Sequence, residues 1–277
     1  MNNTLVRAVS GTVFLIIMTG GIILHPVIYC LLMLLAIIVM NKEYISIAFP
    51  GKLNISSIIT IVTSVILFLT MFAIAGYGFS PKILYFNLLG FVSIFISSLY
   101  SKSVTEHKPD GASLIGSVLY TSLPFSIMNF AVFDPNYHYD YSLLLSFFFI
   151  LWSSDVGAYV FGMSFGQKNG HKLFPSISPK KSWEGFFGGL AAAILTGLLI
   201  HSINFWDINL LNSIIIGLII NIFGVFGDLT ESMFKRKYGV KDSGNIMPGH
   251  GGLLDRFDGA LLAFPAALAY LEILELF

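Results

Sequence analysis

Long apolar runs alternate with short polar breaks along the chain, and the runs have the length of membrane-crossing helices. A bilayer core of ~30 Å takes about 20 apolar residues as an α-helix. Runs of that kind lie at 5–24, 27–47, 56–75, 83–100, 113–133, 142–162, 185–203, 210–229 and 259–276. The pattern predicts an all-α integral membrane protein, a polytopic bundle of about nine transmembrane helices. His25-Pro26 breaks the first run from the second, because proline discourages a helical conformation in the residue before it. Asn41, Lys42 and Glu43 interrupt the second run near its end.

The loop charges sort by side. With nine spans, the side that holds the N-terminus also holds Arg7, Lys42, Lys52, Lys102, Lys108, Lys168, Lys172, Lys180, Lys181, Lys235, Arg236, Lys237, Lys241 and Arg256. Of the 15 Lys and Arg residues only Lys82 falls opposite. By the positive-inside rule the N-terminal side is expected to be cytoplasmic. A wrong number of spans in the middle of the chain would scramble this segregation. Asp134, Asp140, Asp207, Glu272 and Glu275 lie on the other side and contribute little to orientation.

Composition agrees with lipid as the solvent. Of 277 residues, 56% are hydrophobic and 11% charged, where soluble domains run nearer to ~25% charged. The zero formal net charge points to no nucleic acid partner. Cys30 is alone in an apolar run, which leaves no disulfide framework or cysteine metal site and makes it a small buried hydrophobe. Arg7 and the apolar residues after it read as a first membrane helix, since no small-x-small cleavage pattern follows. The polar loops 163–184 and 230–258 are the longest. Residues 1–110 therefore read as an N-terminal transmembrane scaffold and 111–277 as the catalytic region of one continuous membrane domain.

The densest chemistry lies between Gly227 and Asp258, GDLTESMFKRKYGVKDSGNIMPGHGGLLDRFD. Helical spacing puts Asp228, Glu231 or Ser232, and Lys235 on one face. Asp255 and Asp258 follow at i and i+3, at the entry to the last span. Carboxylates at two span ends with Lys and Arg between them suit a magnesium–phosphate site, because Mg²⁺ takes one or two carboxylates together with substrate phosphates. Gly249, Gly251 and Gly252 would let backbone N–H groups approach phosphate oxygens. Each piece has an ordinary alternative. Asp255 and Asp258 also suit a helix N-terminus, the Lys235–Lys237 cluster is also a positive-inside signal, and His250 and the glycines are also loop residues.

A second group runs from Trp152 to Gly189. Asp155 sits inside an apolar run, where an ionisable side chain is costly and marks a role with metal or substrate. Ser178-Pro179 reads as a turn, and Lys180-Lys181 place two cations before the next span, where a lipid phosphate would lie. Gly185 and Gly189 suit close helix packing. His25, His107, His138, His171 and His201 have no metal-ligand spacing. The chain has no GxxxxGK[ST] loop, no GxGxxG after a strand and no GxSxG.

Residues 232–258 resemble the signature of phosphatidate cytidylyltransferases: Ser232, Lys235-Arg236, Lys241-Asp242, Pro248, His250-Gly251-Gly252, Asp255-Arg256 and Asp258, without departure. Trp152, Asp155, Ala158 and Tyr159, and the run SPKKSWEG at 178–185, are similar to that family too. The resemblance covers about residues 150–260. It implies Mg²⁺-dependent transfer of CMP from CTP to phosphatidic acid with release of pyrophosphate, in a helical bacterial inner-membrane protein expected to be a homodimer with a cavity open to the cytoplasm. It implies metal ligation by Asp228 and Asp255, and leaves open one metal ion or two and a monovalent cation. Asp258, Lys241 and Asp242 would complete the catalytic group. Lys235, Arg236 and Arg256, with His250, Gly251 and Gly252, would hold CTP. Lys180, Lys181 and Ser178 would hold the lipid headgroup, and Asp155 either substrate or metal.

Two other classes compete. A transporter would fit the number of spans and Asp155, but the polar weight lies on one face and no inverted repeat is evident. A CDP-alcohol phosphotransferase would carry Asp-Gly-x-x-Ala-Arg, whereas Asp258-Gly259 continues as Ala260-Leu261-Leu262-Ala263.

Overall fold

Helices form where the apolar runs predict them, and several begin or end on a residue suited to the place. The computed structural model describes residues 3–51, 53–100, 110–167 and 170–276; Lys52, Lys102, His107, Lys108 and Lys168 lie outside them. Helix α1 spans Asn3–Leu24 and α2 Pro26–Ala48, with His25 Nδ1 accepting the Val27 N–H at 3.2 Å. Helix α3, Ile55–Tyr77, starts on Asn54, whose Oδ1 accepts the Ser57 N–H at 2.9 Å, and stops at Gly78 in the left-handed conformation (φ 64°). These are the side-chain N-cap and glycine C-cap that relieve unsatisfied helix ends.

Helices α4 (Pro81–Leu99), α5 (Gly111–Ala131), α6 (Ser142–Gly166), α7 (Trp183–Ser202), α8 (Leu210–Lys237) and α9 (Leu254–Ile273) complete the helices of the described residues. The first eight are long and apolar enough to cross a membrane. Helix α9 carries Asp255, Arg256 and Asp258 at one end and Glu272 at the other, which sets it apart from those eight. Leu31, Leu35, Leu88, Leu89 and Leu195 are largely exposed, as expected of side chains that meet acyl chains in a multi-pass membrane protein.

The expected turn at Ser178-Pro179 is replaced by a hairpin. Strand β1 (Lys172–Phe174) pairs antiparallel with β2 (Ser178–Ser182), with Phe174 opposite Ser178 and Lys172 opposite Ser182. The turn falls earlier, at 175–177, where the Ile177 N–H reaches Phe174 O at 3.3 Å. Pro179 is tolerated because a two-stranded ribbon has an unpaired edge on each strand.

Contacts group the chain into two compact units, and neither ends at residue 110. The first is Met1–Tyr139 with Tyr238–Arg256; the second is Asp140–Lys237 with Phe257–Phe277. The signature loop after Lys237 therefore packs with the N-terminal helices.

In the first unit, Asn41 does not end α2. It is fully buried. Its Nδ2 donates to Ile37 O (2.9 Å) and Ser122 Oγ (2.7 Å), and its Oδ1 accepts from Ser64 (3.2 Å) and Ser117 (2.8 Å). Every donor and acceptor of the amide is used, and the three hydroxyls come from α3 and α5. Below this node Tyr29, Phe68, Phe72, Phe133 and Tyr139 form an aromatic cluster, with Phe72 and Phe133 edge to face at 5.3 Å.

The second unit relies on small residues. A Cβ on Gly189 would lie 2.9 Å from Ser154 O, and one on Gly185 3.0 Å from Ala158 O. The close packing of α6 and α7 expected from this pair is present. Gly217 meets Ala193 O in the same way between α7 and α8. Phe148 stacks edge to face on Phe264 at 4.7 Å and joins α6 to α9. Cys30 is buried and free, as a small core hydrophobe should be.

Asn41→Ala removes the shared partner of three buried hydroxyls. Interhelical hydrogen bonds of this kind contribute about 1–2 kcal/mol at most in a membrane protein, so a destabilisation of that size is expected. Thermal unfolding of wild type and variant in the same detergent measures it.

Candidate functional site

The first unit carries Lys241, Asp242, His250, Gly251, Gly252, Asp255 and Arg256, all on the loop 238–253 or the first turn of α9. A helix start leaves its leading N–H groups unsatisfied, and here four successive ones are taken by side chains. The Gly252 N–H donates to Asp255 Oδ2 (2.8 Å), the Leu253 N–H to Glu43 Oε1 (2.9 Å), the Leu254 N–H to Glu43 Oε2 (2.7 Å), and the Asp255 N–H to Ser243 Oγ (3.3 Å). The Ser243 hydroxyl donates to Glu43 Oε2 (3.3 Å), and the Ser243 N–H closes back on Asp255 Oδ2 (2.9 Å). Glu43 is therefore built into this site. The sequence shows it only as one of three polar residues that interrupt the second apolar run, and nothing local names its partner.

This geometry changes the role expected of the glycines. Gly251 has φ +87°, and a side chain there would strike the Asp255 carboxylate. On Gly252 a Cβ would lie 2.6 Å from Glu43 Oε1, and its N–H already serves Asp255. Both glycines let the loop fold onto its own carboxylates, so the Gly252 N–H does not extend to a phosphate. Asp255 shares the character of a helix-capping carboxylate.

His250 is held from two sides. Its Nδ1 lies 2.7 Å from Ser10 Oγ, and Arg256 Nη2 donates to its carbonyl at 3.0 Å. Arg7 of the same helix as Ser10 packs against Gly249, where a Cβ would sit 2.9 Å from Arg7 Cγ. Burial, and then the positive charges of Arg256 and Arg7, push the His250 ring below its ordinary pKa. Lys241 and Asp242 are exposed on the same loop.

The second unit carries Asp155, Ser178, Lys180, Lys181, Asp228, Lys235, Arg236 and Asp258. Gly227 has no room for a Cβ because Asp258 O and Gly259 Cα (2.9 Å) face it, and this contact sets Asp228 of α8 beside Asp258 of α9. The Asp258 carboxyl feels the charges of Asp228, Asp155 and Lys181. Lys181 Nζ pairs with Asp228 Oδ2 at 2.6 Å, and Ser232 Oγ donates to Asp228 Oδ1 at 3.2 Å. Lys181 thus pairs with one carboxylate, Asp228, and Asp258 lies close enough to feel both charges. Among the described residues no three carboxylate or imidazole side chains gather as a metal cluster, but Asp228 and Asp258 offer the hard oxygen donors of which Mg²⁺ takes one or two together with substrate phosphates.

Two expected partnerships divide. Side chains alternate across a strand, so Lys181 turns to Asp228 while Lys180 stays exposed; they do not act as one pair of cations. Ser178 opens the strand, half-buried. Lys235 is buried and ion-paired with the fully buried Glu231 one turn before it. Arg236 is exposed. Asp155 faces outward from α6, and its link to Asp258 is electrostatic.

Comparison with known proteins gives a consistent result. The model of the cytidylyltransferase family matches residues 5–274. A protein of Staphylococcus epidermidis named phosphatidate cytidylyltransferase is 33% identical over 266 residues, 95% of either chain. Proteins of the same name from Staphylococcus haemolyticus and Staphylococcus aureus are 41% and 44% identical over 156 and 158 residues. Those two alignments cover 56% of this chain and 57% of each relative.

With the His250 pKa depressed, the ring is neutral at pH 7, and its contribution to stability is present above about pH 6.5, the ordinary histidine value. It is lost as pH falls through the depressed value. An NMR titration of the His250 ring should give a midpoint below about 6.5, and Arg256→Gln should move it upward.

Proposed function

The chain belongs to the cytidylyltransferase family, and from that premise we propose how its residues carry the reaction. It transfers CMP from CTP to phosphatidic acid and yields CDP-diacylglycerol and pyrophosphate. The observation that carries the site assignment is the Lys181–Asp228 ion pair beside Asp258 in the second unit.

A phosphate monoester has a second pKa near ~6, so the lipid phosphate is largely ionised at neutral pH. One of its oxygens attacks the α-phosphorus of CTP, the bond to the bridging oxygen of the β-phosphate breaks, and pyrophosphate leaves with that electron pair. No protein base is needed. The obstacle is repulsion between two polyanions, so the residues neutralise and align. Asp228 is the proposed Mg²⁺ ligand of the second unit, with Asp258 as a further carboxylate beside it, and Asp255 is the proposed ligand of the first. Bound Mg²⁺ supplies Lewis-acid stabilisation of the triphosphate and its leaving group. Arg236, Lys241 and Arg256 are exposed cations suited to the triphosphate, and Lys235 serves by fixing α8 through Glu231. His250, Gly251 and Gly252 shape the loop that presents Arg256, and Asp242 adjoins it. Lys180 is suited to the lipid phosphate, while Lys181 balances Asp228 and stands next to the same chemistry.

The sided cations support a cytoplasmic N-terminus and a site on the cytoplasmic face of a bacterial inner membrane. A homodimer belongs to the same proposal and rests on family resemblance. The acyl chains of the substrate and product remain in the bilayer, which accounts for so much membrane around a small-molecule synthesis.

Purified protein supplied with CTP and phosphatidic acid should release pyrophosphate only when lipid and Mg²⁺ are both present, and not with other nucleoside triphosphates. Asp228→Asn and Asp255→Asn should each lower turnover by about 10²–10³-fold while the protein still inserts. Release without lipid, or none from wild type, would refute the reading.

A further inference from the structure

We infer that Glu43, in the second helix and far in sequence from the signature loop, is a positioning residue for the reaction: it fixes the backbone that presents Asp255 and Arg256. The inference rests on the proposed roles of those two residues and extends the working site to α2.

Glu43 is buried, yet both its oxygens are occupied. They accept the N–H groups of Leu253 and Leu254 and the hydroxyl of Ser243. Residues 43 and 253 are joined across the first unit by these bonds rather than by chain continuity. The fit is tight on every side. A Cβ on Gly244 would lie 2.6 Å from Glu43 Oε1, and one on Gly252 would lie 2.6 Å from the same atom. The carboxylate thus occupies a cradle that two glycines leave open for it.

The Asp255 carboxylate accepts the neighbouring N–H groups of Gly252 and Ser243. Two carboxylates therefore divide one set of backbone donors, Glu43 taking Leu253 and Leu254. Without the acceptors of Glu43, the buried Leu254 N–H and the part-buried Leu253 N–H are left unpaired, which is costly. The Asp255 carboxylate already accepts the adjacent Gly252 N–H and is close enough to Glu43 to act on it by charge. Drawing Asp255 onto those donors would turn it from the arrangement it holds with Ser243 and Gly252. Glu43 thus acts on the chemistry through Asp255 and touches no reacting atom.

Glu43→Gln tests this with little change of shape, because an amide keeps one acceptor and puts an NH₂ where the second stood. The kcat of pyrophosphate release should fall by about 10–100-fold, the range for losing a residue that orients a metal ligand, with the KM for phosphatidic acid unchanged. Hydrogen exchange, read without substrates, should rise at Leu253 and Leu254 and stay unchanged in α3 and α5. An unchanged kcat would overturn the inference. So would exchange that rises equally in all helices, since that marks general loss of stability. If Glu43→Gln does not accumulate as folded protein, Ser243→Ala carries the test through the Asp255 N–H: faster exchange there with a lower kcat supports the inference, and no change in either overturns it. A wild type without lipid-dependent release would refute the functional reading, whereas the exchange pattern reports on the cap alone.

Discussion

A bilayer offers no hydrogen bonds, so each polar group carried into it must find a partner in the protein. Much of this structure follows from how that demand is met. Asn41 meets it with three serine hydroxyls and a carbonyl, and in doing so joins α2, α3 and α5. Two residues farther on, Glu43 meets it with the N–H groups that open α9. Glu231 meets it with Lys235 inside a single helix. These residues look like interruptions in an apolar sequence, yet each has a partner in the protein, and each thereby fixes an element that hydrophobic packing alone would leave free to slide.

The second device is the absence of side chains. Lipid is as apolar as leucine, so helices in a membrane associate through close contact rather than through escape from water. Gly185, Gly189 and Gly217 bring α7 against its neighbours, and Gly227 brings α8 against α9. The last of these has a chemical consequence. It sets Asp228 beside Asp258 and allows Lys181 to reach in from the hairpin. Close packing and a gathering of like charges are here the same event, and one ammonium balances only part of the charge.

Much of the fold was legible because it depends on local quantities. Helix lengths followed from the apolar runs, and the break between the first two from His25-Pro26, whereas the caps at Asn54, Asp110 and Ser182 are seen only in the structure. The pairing of Ser232 with Asp228 and of Lys235 with Glu231 followed from helical spacing. The hairpin was not legible. Pro175 and Pro179 both suit a turn, and the choice between them depends on strand pairing. That choice also separated Lys180 from Lys181, which a linear reading treats as one patch.

By itself the sequence determined that the chain is a multi-spanning helical membrane protein, which residues bear charge and where the signature lies, because hydropathy, periodicity and residue type are properties of neighbours along the chain. Tertiary structure decided which of those residues meet. Glu43 with Leu254, Ser10 with His250 and Asp258 with Asp228 are pairings over long or intermediate separations. A hydrogen bond or a carboxylate cluster depends on distances of a few ångström, and only the packing of helices fixes distances between residues so far apart in sequence.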